Sequence, residues 1–370
     1  MSLIHPSIKK CLKALFLKPL NGFPPMISFI FLSCASPEPQ YEYAYISNPF
    51  GIVDTVVTIA AVGDMMFARN VAARIAAHGY DAPLGSVSQY LAEFDITTGN
   101  LECPVSDLGT AIDKKYVFRA GPRIIPELAK SGFDAVCVAN NHAFDYGLPC
   151  FLNSLERLRN FGIEPVGGGK NLEEALKPAL LERNGLIIGV LGFNYTRTNY
   201  IGEDRPACAP AEYWPRVFRA IRIAKDSCDI LLVHIHWGVE YAPFPTDSQM
   251  ILGRAMIDSG ANVVLGHHPY RWQGVEFYRG GIIAYSLGNF VFDQNDIANN
   301  VSGILEITFD RKQLSGVRIT PVELLTHPRE AHFAGGAEWQ IFEGILEESC
   351  IIFPTEIETT DAKIILRPIE

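Results

Sequence analysis

The sequence has no dense run of lysine or arginine, which argues against nucleic acid as a partner. Its 370 residues include 41 acidic and 31 basic side chains, giving a formal net charge of -10. An acidic chain without a basic stripe lacks the electrostatic footprint that binds a phosphate backbone. An anionic substrate is still compatible with this charge, because bound cations can reverse the local field in an acidic protein.

Three sequence patterns that define common site types are also absent. The eight cysteines form no CxxC pair, which argues against a structural zinc module. The GGGK segment at 167–170 is not a phosphate loop, because Glu164 stands where the first Gly is required and no Ser or Thr follows Lys170. Ser286 lacks the GxSxG pattern of a nucleophile elbow, so a serine hydrolase is unsupported.

The N-terminal region has no apolar run long enough to span a bilayer, but it has the parts of an export signal. Three early lysines precede the apolar run at 26–32, and Cys34 follows it before a polar stretch. Cys34 resembles a lipoprotein cleavage site. We therefore predict that 1–50 is an export signal or lipoprotein leader with a linker, and that a lipidated Cys34 anchors the exported protein to the membrane or cell surface. Another export route, or a buried or disordered leader with an incidental cysteine, stays open.

Apolar runs of strand length alternate with amphipathic runs of helix length from Thr55 to about Leu325, which is typical of an α/β architecture. Strands are predicted at 56–62, 94–98, 134–140, 229–235, 261–266, 302–309 and 315–324, and helices at 67–78, 122–132, 148–161, 212–226 and 246–259. With 48% hydrophobic residues, the chain can build a full core.

Two hairpins accompany these parallel-type elements, turning at Asn184-Gly185 and at Arg279-Gly280-Gly281. A mixed sheet, or two sheets packed face to face with helices outside, explains this combination better than a purely parallel barrel. We predict one domain over 51–325 and a C-terminal extension of unclear structure over 326–370, where the pattern weakens into turns.

Five of the predicted strands end on polar residues that can bind a metal ion. These residues are Asp64, Asn100 and Glu102, Asn140, Asn141 and His142, His234 and His236, and His267 and His268. Each one alone is more often a turn, a helix cap or a polar loop. Because ligands bind beyond the carboxyl ends of strands in α/β sheets, five such ends together predict one site.

The donors are oxygen and imidazole without thiolate, which suits manganese, iron, zinc or magnesium. Their number exceeds what one ion normally takes from protein. Two ions about 3.5–4 Å apart, bridged by a carboxylate, would use them all and activate a water for attack on a phosphoryl or similar group. Within the histidine pairs, period-two alternation favours His236 over the more deeply placed His234, and His268 over His267.

Six segments follow one another in the order and spacing of the CapA family: VGDMMFAR, TGNLECPVS, VANNHAFDYG, VHIHWGVEY, GANVVLGHHPY and IIAYSLGNFVFD. The chain therefore resembles these poly-gamma-glutamate capsule biosynthesis proteins, relatives of the calcineurin-like metallophosphoesterases, over about residues 56–293.

The resemblance implies a four-layer α/β/β/α sandwich of mixed sheets with a two-metal site at the strand ends. It implies metal ligation by Asp64, Glu102, Asn141, His236 and His268. It gives His142 the role of protonating the leaving oxygen. Residues that orient the ligands or contact substrate are Asn100, Asp145, His234, Glu240, His267, Tyr270 and Asn289.

The sequence departs from the family pattern at two positions. Tyr270 stands where the family usually has a second histidine, and Met66 stands where phosphoesterase relatives commonly place a histidine ligand. Protonated tyrosine is a poor ligand for most of these ions. We therefore expect one metal to bind tightly and the other weakly.

The leading functional hypothesis is a metal-dependent hydrolase of the phosphoesterase type, linked to capsule or envelope polymer biosynthesis at the membrane surface. Its expected substrate is an anionic polymer or a phosphoester, and its expected partners are other capsule-synthesis membrane proteins. One alternative is a non-catalytic or weakly catalytic accessory protein that binds polymer for export. The other is a metal-dependent gamma-glutamyl amide hydrolase.

Overall fold

The structure is a computed structural model, and it describes residues 55–199, 202–294, 296–324, 331–360 and 362–369. The predicted leader at 1–50, with Cys34, lies outside the described residues. Among the residues described, no helix is both long and apolar enough to cross a membrane.

The larger sheet has ten strands in the described part of the chain. They are β1 (Val56–Met65), β2 (Ile96–Leu101), β3 (Phe133–Cys137), β4 (Glu164–Val166), β13 (Asn289–Val291), β14 (Val301–Asp310), β15 (Gln313–Leu324), β16 (Ala331–Phe333), β17 (Thr355–Thr359) and β18 (Ile364–Pro368). The order is β17-β18-β15-β14-β1-β2-β3-β4, with β13 beside β1 and β16 beside β15. Strands β1 to β4 are parallel, whereas β14, β15, β17 and β18 join through antiparallel pairs.

Over the residues that the structure describes, the smaller sheet has six strands in the order β11-β12-β10-β9-β7-β6. They are β6 (Ala179–Arg183), β7 (Leu186–Asn194), β9 (Ile230–His236), β10 (Val263–His267), β11 (Val275–Tyr278) and β12 (Gly281–Ala284). Its four central strands are parallel, and an antiparallel hairpin closes each edge. Asn184 and Gly185 both have positive φ at the β6–β7 turn, as the predicted two-residue hairpin requires. Separately, β5 (Gly168–Gly169) pairs with β8 (Ala207–Cys208).

The helices lie outside the two sheets. They are α1 (Arg69–His78), α2 (Val87–Leu91), α3 (Ile125–Lys130), α4 (Gly147–Asn160), α5 (Leu172–Ala175), α6 (Trp214–Lys225), α7 (Asp247–Asp258) and α8 (Gly336–Cys350). Short 3-10 turns occur at Pro122–Ile124 and Ile297–Asn299. Helices α3 and α4 pack on β3 and β4, and α6 and α7 pack on the six-stranded sheet.

Strand β9 shows how the layers are stacked. Leu231, Val233 and Ile235 pack with the helices α6 and α7, whereas Ile230 and Leu232 face the core between the sheets. This period-two alternation buries both faces of the strand. The layers therefore run helix, sheet, sheet, helix, which confirms the predicted α/β/β/α architecture of mixed sheets.

Residues 331–369 join the larger sheet. Strands β16, β17 and β18 extend its antiparallel half, and α8 packs on β14 and β15. Buried Phe342 and Leu346 attach α8 to the main core.

Candidate metal centre

The carboxyl ends of the parallel strands bring the predicted donors to one edge of the sandwich. Asp64 closes β1, Glu102 follows β2, and Asn141 and His142 lie in the loop after β3. From the smaller sheet, His236 ends β9 and His268 follows β10. All of these side chains are buried except Asn141, which is half-buried.

Three donors form a compact cluster. One carboxylate oxygen of Glu102 and one ring nitrogen each of His236 and His268 lie within 4.8 Å of one another. The Oδ1 atom of Asn141 is 3.1 Å from Nε2 of His236. That separation fits a hydrogen bond, and it also fits two ligands on one ion. The cluster joins Glu102 to two histidines that lie more than a hundred positions later in the sequence, and it could hold a metal ion.

The carboxylate of Glu102 is buried without a compensating partner. Among the described residues, no donor is hydrogen-bonded to Oε1 or Oε2, and the side chain in contact with Glu102 is another carboxylate, that of Asp64. Nδ1 of His268 is also buried without a partner there. Burial, followed by the charge of Asp64, raises the pKa of Glu102 well above its usual range. A carboxyl group buried in this way takes up a proton unless a cation neutralises its charge. The donor set therefore fits a divalent ion.

The imidazoles of the cluster are neutral. Burial lowers the pKa of His268, and burial together with the neighbouring His268 ring lowers the pKa of His236 well below its ordinary value. A neutral imidazole has a free lone pair on one ring nitrogen and can ligate a metal. These two rings lie 4.7 Å apart, centroid to centroid.

The surroundings of Asp64 are different. Its Oδ1 accepts a hydrogen bond of 2.8 Å from Nδ2 of Asn100, and its Oδ2 accepts one of 3.0 Å from the backbone N–H of His268. Nδ1 of His267 lies 3.2 Å from Oδ1, although the angle does not favour a hydrogen bond. Asp64 is thus at the centre but already engaged by protein donors.

His142 is held at the wall of the centre by an acidic partner. Its Nδ1 lies 2.6 Å from Oδ2 of Asp145, and its Nε2 lies 3.9 Å from Oε1 of Glu102. The ring stacks on Phe118 at a centroid distance of 4.0 Å. Burial lowers the pKa of His142, although Asp145 opposes this change. Because Nδ1 faces Asp145, Nε2 is the nitrogen left to exchange protons with a bound substrate.

Sequence analysis missed Lys114 and Phe118, which brace this pair. Nζ of Lys114 donates to Oδ1 of Asp145 and to the carbonyl of Asn141, both at 2.8 Å. The backbone N–H of Phe118 donates to Oδ2 of Asp145 at 2.8 Å. Both residues lie in the irregular segment between β2 and α3, where the only signal was a lysine pair followed by Tyr, Val and Phe.

The centre opens into a cavity of about 400 Å³. Its lining includes His142 and Asn141, the charged residues Arg69, Lys114 and Glu240, and the rings of Tyr116, Tyr241, Tyr270 and Phe292. A larger cavity of about 680 Å³ lies beside α8, but none of the predicted donors lines it.

The other predicted residues lie around the cluster in supporting positions. Nδ1 of His234 is 2.9 Å from Nε2 of His267, and Nε2 of His234 is 2.8 Å from Oγ1 of Thr98 in the facing sheet. The hydroxyl of Tyr270 donates to Glu240 at 3.1 Å. Nδ2 of Asn289 donates to the carbonyl of Asn299.

Comparison with known proteins identifies relatives of the whole site region. The family model described as Bacterial capsule synthesis protein PGA_cap matches residues 58–294. The PGA biosynthesis protein CapA of Bacillus subtilis is 32% identical over 277 residues, which are 73% of this chain and 72% of that protein. The capsule biosynthesis protein CapA of Bacillus anthracis is 32% identical over 64% of this chain and 60% of that protein.

Among solved structures, the 5'-nucleotidase from Candida albicans aligns with 79% of this chain and 57% of that chain, at 9% identity and a TM-score of 0.39. A structural similarity this low carries no information about the substrate of this chain.

Proposed function

Because the chain belongs to the PGA_cap family of bacterial capsule synthesis proteins, we propose that it is a metal-dependent hydrolase of the phosphoesterase type, acting in the biosynthesis of a capsule or envelope polymer such as poly-gamma-glutamate. The observation that carries the proposal is the Glu102 carboxylate, which is buried, unpaired and faced by two neutral imidazoles. A purely structural site would have satisfied that carboxylate with protein donors.

A divalent ion held by Glu102, His236, His268 and Asn141 would act as a Lewis acid on an anionic oxygen of the substrate and activate water for attack. Residues of the chain provide the proton transfer to the leaving group. The hydrogen bond from Nδ1 of His142 to Asp145 fixes the tautomer of the ring, so Nε2 handles the proton of the leaving group. Lys114 and Phe118 hold Asp145 in place.

The side chains that line the cavity determine which groups a substrate contacts as it enters. Tyr116 and Tyr241 are about half-exposed at its rim, so a substrate contacts aromatic rings before it reaches His142. Lys114, with 30% of its side chain exposed, and Arg69, with 43% exposed, both line the cavity and are placed to contact an anionic group there. We therefore place the scissile phosphoester or amide carbonyl between Asn141 and His142.

Elemental analysis of the purified protein, combined with a substrate panel, tests the proposal. The panel compares phosphate release from nucleotide and sugar-phosphate esters with glutamate release from poly-gamma-glutamate. Chelator treatment should abolish phosphate release, and a divalent ion should restore it. Metal-dependent release of glutamate but not phosphate would replace the phosphoesterase with the amide hydrolase. Turnover of neither, with polymer still bound, would replace it with the accessory protein.

We also propose that the protein is exported and anchored through a lipidated Cys34, and that it works beside other capsule-synthesis membrane proteins. The proposal is supported by the basic start, apolar run and cysteine of residues 1–50. Fractionation of cells that produce the unmutated chain or Cys34→Ser tests it. Cys34→Ser should leave the membrane fraction, and equal membrane association of both chains would contradict the anchor.

A further inference from the structure

We infer that Arg69 is a specificity-determining residue, which binds a second anionic group of the substrate: a carboxylate on the polymer unit next to the unit at His142. The inference rests on the proposed function and adds which substrates the cavity prefers. A substrate with a single anionic group contacts Lys114 alone, whereas an acidic polymer contacts both cations. The cavity therefore favours acidic polymers over small monoanionic esters.

Several contacts fix the position of Arg69. Its Nε lies 3.2 Å from Oδ2 of Asp293, whose side chain is completely buried. Its Cζ lies 5.8 Å from the centre of the Tyr116 ring and 5.6 Å from the centre of the Phe118 ring. Its backbone has a φ of 54°, in the left-handed region that is unusual for a residue with a side chain. Strained backbone that is held in place by such contacts is typical of functional sites.

Asp293 connects Arg69 to the start of α1. Oδ2 of Asp293 also accepts the backbone N–H of Asn70 at 3.2 Å, where Ala68 provides no side-chain cap for the helix. Oδ1 is buried without a partner in the described part of the chain. Arg69 is the charged partner of this carboxylate, so moving it away would leave a charge buried and unpaired. A guanidinium has several N–H donors and Asp293 engages Nε, so the Nη groups can bind a ligand.

The other cations near the cavity differ from Arg69. Nζ of Lys114 donates to the carbonyl of Asn141 at 2.8 Å, and it lies beside the predicted donors. Lys115 lies 4.9 Å from the centre of the Tyr116 ring, but it is exposed and is not among the described residues that line the cavity. Arg69 combines a fixed position in the lining with donors that can reach a substrate.

Arg69 lies farther from the proposed reaction than Lys114. Nζ of Lys114 is 3.2 Å from Nδ1 of His142. Arg69 instead contacts the Phe118 ring, which stacks on His142 with ring centres 4.0 Å apart. An anionic group held by Arg69 therefore belongs to a different part of the substrate from the group that receives the proton of His142. A planar guanidinium matches the two oxygens of a carboxylate, and every unit of poly-gamma-glutamate carries one.

Two further acidic side chains of the lining have partners of their own. Asp296 lies 3.0 Å from Nη2 of Arg271, and Glu240 accepts a hydrogen bond from the Tyr270 hydroxyl. These contacts leave the Nη groups of Arg69 to an anionic group of the substrate.

Calorimetric titration with two oligomers tests the inference. One is a short oligomer of gamma-linked glutamate, and the other is the same oligomer with every free carboxylate converted to an amide. The protein carries His142→Ala, so that the oligomers stay intact. We expect it to bind the acidic oligomer about 10–100-fold more tightly, as for hydrogen bonds to a charged group. Adding Arg69→Gln should remove most of this preference, and adding Arg69→Lys should keep part of it.

The matched control is Arg216→Gln. Arg216 also pairs with an acid, Glu203 at 3.1 Å, and lies 5.9 Å from the centre of the Tyr213 ring, but it does not line the described cavity. This variant should keep the full preference. An equal preference in Arg69→Gln and the control would overturn the inference, as would failure of the acidic oligomer to bind. Binding of a glycerol phosphate oligomer in place of the glutamate oligomer would make the anion a phosphate and contradict the carboxylate.

Steady-state kinetics separates the inference from the proposed function. Arg69→Gln alone should raise KM for the acidic polymer and leave kcat nearly unchanged, because Arg69 binds substrate and transition state equally. A fall in kcat at unchanged KM would contradict a role in binding. If the parent turns over no substrate but the Arg69-dependent preference is present, the proposed function fails and the inference stands. Turnover by the parent, with the preference intact in Arg69→Gln, would give the opposite result.

Discussion

Two buried glutamates in the ten-stranded sheet have opposite surroundings. Glu102, beyond the parallel strand β2, has no hydrogen bond to either oxygen. Glu306, on the antiparallel strand β14, accepts hydrogen bonds from Tyr90 at 2.6 Å and Lys363 at 2.6 Å, and also from Thr320. Both are at least 94% buried, with relative exposures of 0% and 6%.

The difference shows that burial alone does not mark a functional carboxylate. Around Glu306 the chain supplies two hydroxyls and an ammonium, so the charge stabilises the junction of α2, β14, β15 and β18. Around Glu102 it supplies two neutral imidazoles, which cannot neutralise a charge. The unpaired carboxylate at the ends of parallel strands is the one that needs a cation.

The largest effect that this comparison predicts is on activity. Glu102→Gln should reduce metal-dependent hydrolysis to the level without enzyme, because a neutral amide is a weaker ligand than a carboxylate and leaves the ion without a negative ligand in the cluster. Above the ordinary pKa of a glutamate, the metal-free variant should be more stable than the metal-free parent by about 1–3 kcal/mol, because burial opposes ionisation of Glu102 and a glutamine has no proton to lose. Urea denaturation in chelator checks the second expectation. A less stable Glu102→Gln would mean that the carboxylate has protein partners and resembles Glu306.

The next largest effect concerns the proton donor near Glu102. His142→Ala should lower kcat about 10²–10⁴-fold, the usual contribution of a general acid, with metal content unchanged. A steady-state assay with the best substrate of the panel measures it. The matched control is His78→Ala, an exposed histidine in the last turn of α1 that should keep full activity. A parallel loss of bound metal in His142→Ala would make His142 a ligand instead of an acid.

A smaller effect, on stability alone, is expected at the other glutamate. Glu306→Gln should destabilise the protein by about 1–3 kcal/mol, because Lys363 loses its charged partner and one hydroxyl loses a strong acceptor. Metal content and kcat should not change. The measurement is urea denaturation beside elemental analysis. Loss of metal in this variant would break the distinction between the two carboxylates.

Much of the fold and the metal cluster followed from local patterns in the sequence. The Asn184-Gly185 turn needs only two neighbouring residues, and the alternation in β9 reports both faces of that strand. The donors could be grouped because parallel strands end at a shared edge. That grouping placed Asp64 and Glu102 at one centre, and only the folded structure shows that Asp64 accepts hydrogen bonds from Asn100 and His268 whereas Glu102 accepts none from the described residues.

Other features depend on contacts between distant residues and had no periodic signal. Lys114 reaches Asp145 from an irregular segment, so neither helix nor strand spacing marked it. Within the described chain, strand β17 lies at the edge of its sheet, paired with β18, and exposes most of its residues. In α8, the apolar residues Trp339, Phe342 and Leu346 do follow helical spacing. Gly335 and Gly336 before them obscured the helix, since they resemble a turn.

The smallest predicted effect is a pH dependence at Lys363. Burial by itself would lower the pKa of Lys363, but hydrogen bonds to Glu306 and Tyr90 outweigh it, so the pKa is raised above the ordinary 10.5. A raised pKa contributes stability that is full below the ordinary value and is lost as pH rises through the folded value. Because 31% of this side chain is exposed, the contribution is limited to about 1 kcal/mol or less.

Lys363→Met should therefore be slightly less stable than the parent near neutral pH, and the difference should disappear at a strongly alkaline pH, above the raised pKa of Lys363. Burial and the hydrogen bond to Glu306 also raise the pKa of Tyr90, so its hydroxyl keeps donating to Glu306 beyond the pH at which a free tyrosine loses its proton. Urea denaturation at both pH values, with the exposed Lys130→Met as control, measures the difference. A gap that persists at high pH would assign the stabilisation to packing of the lysine stem, and Glu306 would then depend on its two hydroxyl donors alone.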